Sequence, residues 1–86
     1  MDDIGPVLAR ELGSGDWEAF RRALLGMGRD AGARRAYRCI FEQTGDPGSL
    51  TGVDARIVRH WVIEVGNSPD ATDNLRTVAH KLTTTG

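Results

Sequence analysis

Apolar residues recur at helical spacing wherever this chain of 86 residues shows a regular pattern. No stretch has the sustained alternation of polar and apolar residues that a half-buried strand requires. The spacing therefore predicts an all-α domain, a compact bundle of short antiparallel helices. Its five apolar stripes are Ile4, Val7, Leu8 and Leu12; Trp17, Phe20, Ala23, Leu24 and Met27; Ala33, Ala36, Tyr37, Ile40 and Phe41; Ile57, Val58, Trp61, Val62 and Val65; and Ala71, Leu75, Val78, Ala79 and Leu82.

Capping residues and glycines predict where these helices begin and end. Asp16 and Asp30 can accept backbone N–H groups, so we expect them to cap the second and third helices. The fourth helix should start at Thr51 or Asp54, after a loop over residues 45–52, and the S-P-D sequence at 68–70 favours a start of the fifth. Residues 83–86 have poor helix propensity and are expected to fray. The predicted helix stops are Gly13, Gly26 with Gly28, Gly45 and Gly66.

Length and cysteine content limit the classes of protein to which the chain can belong. A single domain over residues 1–86 is expected, since cores usually span about 100 to 150 residues. One cysteine cannot close an intramolecular disulfide, which favours stability from packing and a cytoplasmic location. No apolar run approaches the roughly 18 residues that span a bilayer, so no membrane segment is predicted. A domain this small buries only about 60–65% of its unfolded surface, so a second copy or a partner is expected to cover apolar surface.

Patterns typical of catalysis and of metal binding are weak. The only thiol, Cys39, lies among helical residues, and His60 and His80 fall on the polar sides of their helices. The close Cys and His pairs of structural zinc sites are absent. Glycines 26 and 28 do not form a dinucleotide-binding loop, because no strand precedes them. We therefore expect a non-enzymatic protein with no catalytic residue, metal or cofactor, in which Cys39 is structural.

Charge is segregated along a chain whose net charge is only −1. Residues 1–16 carry one arginine against four acids (−3), residues 17–40 carry six arginines against two acids (+4), and residues 41–55 carry three acids (−3). Arginine supplies ten of the eleven basic residues. Guanidinium groups pair bidentately with carboxylates and lose less hydration at an interface than ammonium groups do. The pattern therefore favours protein recognition through an acidic and a basic surface.

Other interpretations of the arginines stay open. They would form an ordinary solvated helix face if pairs such as Asp30/Arg34 and Arg38/Glu42 hold them. They would contact DNA if the second and third segments form a helix-turn-helix. The net charge, the scarcity of lysine and the lack of Asn or Gln near these arginines in the sequence disfavour nucleic acid. A generic helical accessory protein that binds an unlike protein is a further alternative.

Two tryptophan segments resemble the death domain, a member of the death-fold superfamily of helical bundles. The first reads L-A-R-E-L-G-S-G-D-W-E-A-F-R-R-A-L and contains Trp17. The second reads R-H-W-V-I-E-V-G-N-S-P-D-A-T-D-N-L-R-T-V-A-H-K-L, with Trp61, a glycine turn at Gly66 and leucines at 75 and 82. The family has six helices and no sixth stripe follows Leu82. Three alternatives stay open: a chain that lacks the sixth helix, a five-helix relative, or a bacterial effector-associated death-like domain of similar role.

The resemblance implies a homotypic adaptor or oligomerisation module in immune or cell-death signalling, including apoptosis and innate immunity. Its partner would be a second copy or another death-fold domain, in a homo-oligomer or a filament. The charge blocks indicate how two copies meet, because an acidic surface of one can contact a basic surface of the next. The expected acidic residues are Asp2, Asp3, Glu11, Asp16 and Glu18, and the expected basic residues are Arg21, Arg22, Arg34, Arg35 and Arg38.

Overall fold

The computed structural model describes residues 4–44 and 46–85. Within these ranges there are five α-helices and no strand, which confirms the predicted all-α class. A π-helical segment continues the third helix, and a 3₁₀ turn precedes the fourth. The helices are α1 (Ile4–Glu11), α2 (Ser14–Gly26), α3 (Ala31–Tyr37), α4 (Gly52–Gly66) and α5 (Asp73–Thr85), with the π segment at Arg38–Thr44 and the 3₁₀ turn at Pro47–Ser49.

The longest helix, α4, forms the most extensive helix pair of the fold together with α5. Gly66 at the end of α4 lies beside Leu75 and Ala79. Two turns earlier, Arg59 Nη2 donates a hydrogen bond to the carbonyl oxygen of Leu82 over 2.8 Å. The two helices are therefore antiparallel. On the other side of α4 lie α2 and α3, and α1 packs against the 3₁₀ turn.

The predicted apolar stripes form the core. Among the described residues, eighteen apolar side chains are buried, and they include Cys39, which was expected to be packed in a helix, and Leu50 from the predicted loop. Trp17, Tyr37, Phe41 and Trp61 are half-buried and pack against this core. The fully buried larger side chains include Phe20, Ile4, Leu8, Leu24, Leu75, Val58, Val62, Val65 and Val78.

The third helix changes its hydrogen-bonding pattern midway. Asp30 is its N-cap, as predicted, and its carboxylate accepts the N–H groups of Gly32 at 2.8 Å and Ala33 at 3.3 Å. At Arg38 the helix passes into the π segment, whose i→i+5 hydrogen bonds are rare and occur frequently at functional sites. The Tyr37 and Phe41 ring centroids lie 5.1 Å apart across this transition.

Two predicted helix starts are wrong. The second helix begins at Ser14 with Gly13 as N-cap, so Asp16 lies inside its first turn. The fifth begins only at Asp73, where the Thr72 hydroxyl accepts the N–H of Leu75 at 3.1 Å, and residues 68–71 form a separate turn. The fifth helix also continues through residues 83–85, which were expected to fray. The hydroxyl groups of Thr83 and Thr84 donate to carbonyl oxygens within this helix.

The start of α4 depends on a glycine. Gly52 has φ +60°, the left-handed region that L side chains adopt at a cost of about 1–2 kcal/mol. Gly52→Ala should therefore lower the free energy of unfolding by about 1 kcal/mol. Gly26→Ala is the control, because no atom lies near the added methyl group and alanine favours a helix. Urea denaturation of the two variants measures the contrast, and equal stabilities would contradict it.

Candidate protein-interaction surface

The predicted acidic surface does not form around Asp16. This carboxylate is buried and accepts the N–H of Gly13 at 2.9 Å, the Nδ2 of Asn74 at 2.8 Å and the hydroxyl of Thr72. Asn74 Nδ2 also donates to the carbonyl oxygen of Glu11. The expectation that Asp16 contacts a partner is therefore wrong. Its hydrogen bonds tie the start of α2 to the start of α5, and Asn74 extends this connection to the end of α1.

The hydrogen bonds around Asp16 also determine its ionisation. Burial raises the pKa of the Asp16 carboxyl, but the hydrogen bonds from Asn74, Thr72 and Gly13 favour the charged form and together bring the pKa below its ordinary value. The group is therefore ionised at neutral pH. Its role is to hold three helices together.

The two other predicted acidic residues that the structure describes, Glu11 and Glu18, each lie beside basic side chains. Glu11 pairs with Lys81 at 3.5 Å, and Glu18 lies between Arg21 at 3.7 Å and Arg22 at 3.4 Å on α2. Asp2 and Asp3 lie outside the described residues. Among the described residues, these acidic side chains therefore lie beside basic ones in three dimensions and not apart from them.

The predicted basic residues divide between two sides of α2. Arg22 lies in a groove facing the turn between α4 and α5, together with Ser68 and Asp70. Arg34, Arg35 and Arg38 lie together on α3 and the start of the π segment, all exposed. The structure therefore brings together the three arginines of the third helix and separates Arg22 from them.

A ridge formed by Arg34 and Arg38 separates two grooves. The α2–α3 groove has a volume of about 270 Å³ and is mainly apolar, and the α3–α4 groove has a volume of about 580 Å³ and is polar. The first is lined by Leu24, Leu25, Gly28, Arg34, Tyr37, Arg38 and Glu42. The second is lined by Ala31, Arg34, Arg35, Arg38, Gln43 and Asp54. Gln43 shares the second groove with the three arginines, so an amide side chain lies near them in space although none was recognised near them in the sequence.

Ion pairs on this surface are long and exposed. Arg35 Nη2 lies 3.8 Å from Asp54 Oδ1, and Arg38 Nε lies 3.8 Å from Glu42 Oε2, the pair expected from the sequence. Exposed pairs of this kind contribute about 0.2–1 kcal/mol each, so a partner's carboxylates can replace them. Arg34 makes no ion pair with any described residue, since Asp30 serves as the helix cap.

The α2–α3 groove also exposes an apolar side chain that sequence reasoning missed. Leu25 is 53% exposed, whereas the adjacent Leu24 is buried beneath it. The sequence did contain an indication of this exposure. Leu25 is apolar but does not lie on the predicted apolar stripe of the second helix, so the core-facing side of that helix does not include it. Together with the arginines it forms a surface with an apolar centre and a basic rim, the general anatomy of a protein interface.

The candidate nucleophile has no reactive setting. Burial, together with the nearby Asp54 carboxylate, raises the pKa of the Cys39 thiol, although Arg35 and Arg38 lower it in part. The thiol is therefore protonated at neutral pH, and a thiolate is the form that attacks. His60 and His80 are exposed. Within residues 4–44 and 46–85, no cluster of three or more His, Cys, Asp or Glu side chains is arranged to hold a metal ion.

None of the described helices is both long and apolar enough to cross a lipid bilayer. Comparison of the chain with models of known protein families, with curated proteins and with solved structures finds no match.

Proposed function

We propose that this chain is a non-enzymatic protein-interaction module of the death-fold type, which associates with copies of itself or with a like domain in the cytoplasm. The observation that carries the proposal is the exposed cluster of Arg34, Arg35 and Arg38 beside an apolar groove that exposes Leu25. The resemblance around the two tryptophans supplies the setting, which is immune or cell-death signalling.

In the proposed association, long and exposed ion pairs within one chain are replaced by bidentate ion pairs between two chains. Arg35 and Arg38 hold their own acidic neighbours only at 3.8 Å across exposed surface. A partner's carboxylates placed against all three guanidinium groups can form bidentate hydrogen bonds in a less hydrated interface. Association through such contacts is screened by salt.

Light scattering coupled to size-exclusion chromatography tests the proposal. The wild-type chain should elute with a mass above that of a monomer at low salt and shift toward the monomer as salt is raised. Arg34→Glu combined with Arg35→Glu should remain monomeric where the wild type associates, because the partner's acidic groups are then repelled. Far-UV circular dichroism should show unchanged helical content.

A charge-matched variant controls for net charge. Arg10→Glu combined with Arg76→Glu makes the same change at two exposed positions outside both grooves, and should associate as the wild type does. A monomeric wild type, or full association of the Arg34/Arg35 variant, contradicts the proposal. Binding of the wild type to duplex DNA that falls steeply with salt favours the helix-turn-helix alternative instead.

A further inference from the structure

Only two large apolar side chains are exposed in the described part of the chain, and they lie in surroundings of different charge. Leu25 is 53% exposed and Val53 is 59% exposed. A folded monomer gains nothing by exposing such side chains, although single exposed apolar residues are common. Their charged surroundings are therefore what distinguishes these two.

The surroundings of Leu25 are basic. Arg34 and Arg38 line the α2–α3 groove beside it. Arg21 lies one helical turn before it on α2, outside the groove lining, and pairs with Glu18 at 3.7 Å. Among the described residues that line this groove, Glu42 is the one acid, and Arg38 already pairs with it. The groove is therefore suited to bind an apolar residue that has acidic residues beside it.

The surroundings of Val53 are acidic. Val53 lies in the first turn of α4, directly before Asp54, and the exposed Asp46 caps the preceding 3₁₀ turn. Within the chain, Asp54 is held by an exposed ion pair with Arg35 Nη2 at 3.8 Å, which a second copy can replace. The nearest basic residue along α4 is Arg56, which is itself engaged in an interaction within the chain.

We infer that the α2–α3 groove of one copy binds the first turn of α4 of a second copy, with Val53 against Leu25 and the acidic groups of the turn against Arg34 and Arg38. This inference rests on the proposed function and names the two surfaces that meet. It commits to a second copy because the chain itself carries the complementary surface, an exposed apolar residue among acids.

Charge determines how the copies are arranged. A groove placed against the same groove of another copy would bring four guanidinium groups of Arg34 and Arg38 together, and like charges across an interface oppose association. The groove must therefore meet a different surface, which makes the contact heterologous. Contacts of this kind continue from copy to copy as rings or open filaments.

Two single variants, alone and mixed, test the contact by light scattering. Leu25→Asp places an acid in the groove, and Val53→Arg places a cation on the turn, so each variant disables one surface and leaves the other intact. Both sites are more than half exposed, so the folded monomer should persist. Each variant alone should need at least about tenfold more protein to associate. The equimolar mixture should form a one-to-one dimer and no larger assembly, because the two variants together retain one intact groove and one intact turn. Ala9→Asp, on the exposed side of α1, should associate as the wild type does.

The outcomes separate this inference from the proposed function. A wild type that stays monomeric overturns both. A wild type that associates, with variants that associate equally well, overturns only the contact inferred here. Loss of association in each variant, with no dimer formed in the mixture, also overturns the inferred contact, because the two surfaces then do not meet each other.

Discussion

Asp16→Ala is expected to destabilise the fold by about 3 kcal/mol, a large fraction of what a domain of this size possesses. The substitution removes the acceptor for the N–H of Gly13, the amide of Asn74 and the hydroxyl of Thr72. Partly buried donors that lose their acceptor contribute most of the loss, at about 1–3 kcal/mol each before the structure relaxes. Urea denaturation followed by circular dichroism measures the change.

Asp30→Ala is the matched control, because Asp30 also accepts backbone N–H groups at a helix start but is exposed. Loss of such a cap alone is expected to be worth about 1 kcal/mol. The difference between the two variants then reports the hydrogen bonds that connect Asp16 to α5. Equal losses would contradict the view that Asp16 joins three helices.

The lowered pKa of Asp16 predicts an acid-dependent loss of stability. A carboxyl whose folded pKa lies below its unfolded value of about 3.9 stabilises the fold above that value, and loses this contribution as the pH falls through the folded pKa. Asp16→Asn keeps the shape of the side chain and removes its charge. The difference in unfolding free energy between wild type and Asp16→Asn should therefore shrink below about pH 4. If the difference in unfolding free energy between the two proteins does not change with pH, the lowered pKa of Asp16 is contradicted.

Gly66→Ala is expected to cost about 1–3 kcal/mol, because a Cβ at this position would overlap the Cβ of Ala79 and approach the carbonyl oxygen of Leu75 to 3.1 Å. The clash involves the close crossing of α4 and α5, neither of which can move away without opening the core. Thermal unfolding gives the loss in stability.

Gly15→Ala is the control for Gly66→Ala, since it makes the same change within a helix where no atom lies near the added methyl group. It should be neutral or stabilising. Combining Gly66→Ala with Ala79→Gly should cost less than the sum of the two single changes, because the second removes the methyl group that the first meets. Simple additivity would show that this contact is not the cause.

Little of the candidate surface could be predicted from the sequence. The blocks of charge drew attention to Arg34, Arg35 and Arg38, which lie together because they fall within about one turn of one continuous helix. The charge pattern wrongly placed Asp16 on an interaction surface. A carboxylate near a helix start gives the same sequence pattern whether it faces solvent or a neighbouring helix. The charge pattern also missed Leu25 and Val53, since exposure of an apolar side chain depends on which other helices cover it.

The sequence by itself determined the helical class, the apolar stripes that meet in the core and the Asp30 cap, because each depends on residues within a few turns of one another. Only the tertiary structure decided that α5 begins at Asp73 and not at 68–70, since Thr72 and Asn74 must reach Asp16, more than 50 residues earlier in the chain. The tertiary structure likewise decided that Gly66 lies where α4 and α5 cross closely. It also decided which charged side chains lie together. The physical reason is that local rules act through neighbours along the chain, whereas burial and electrostatics act through neighbours in space.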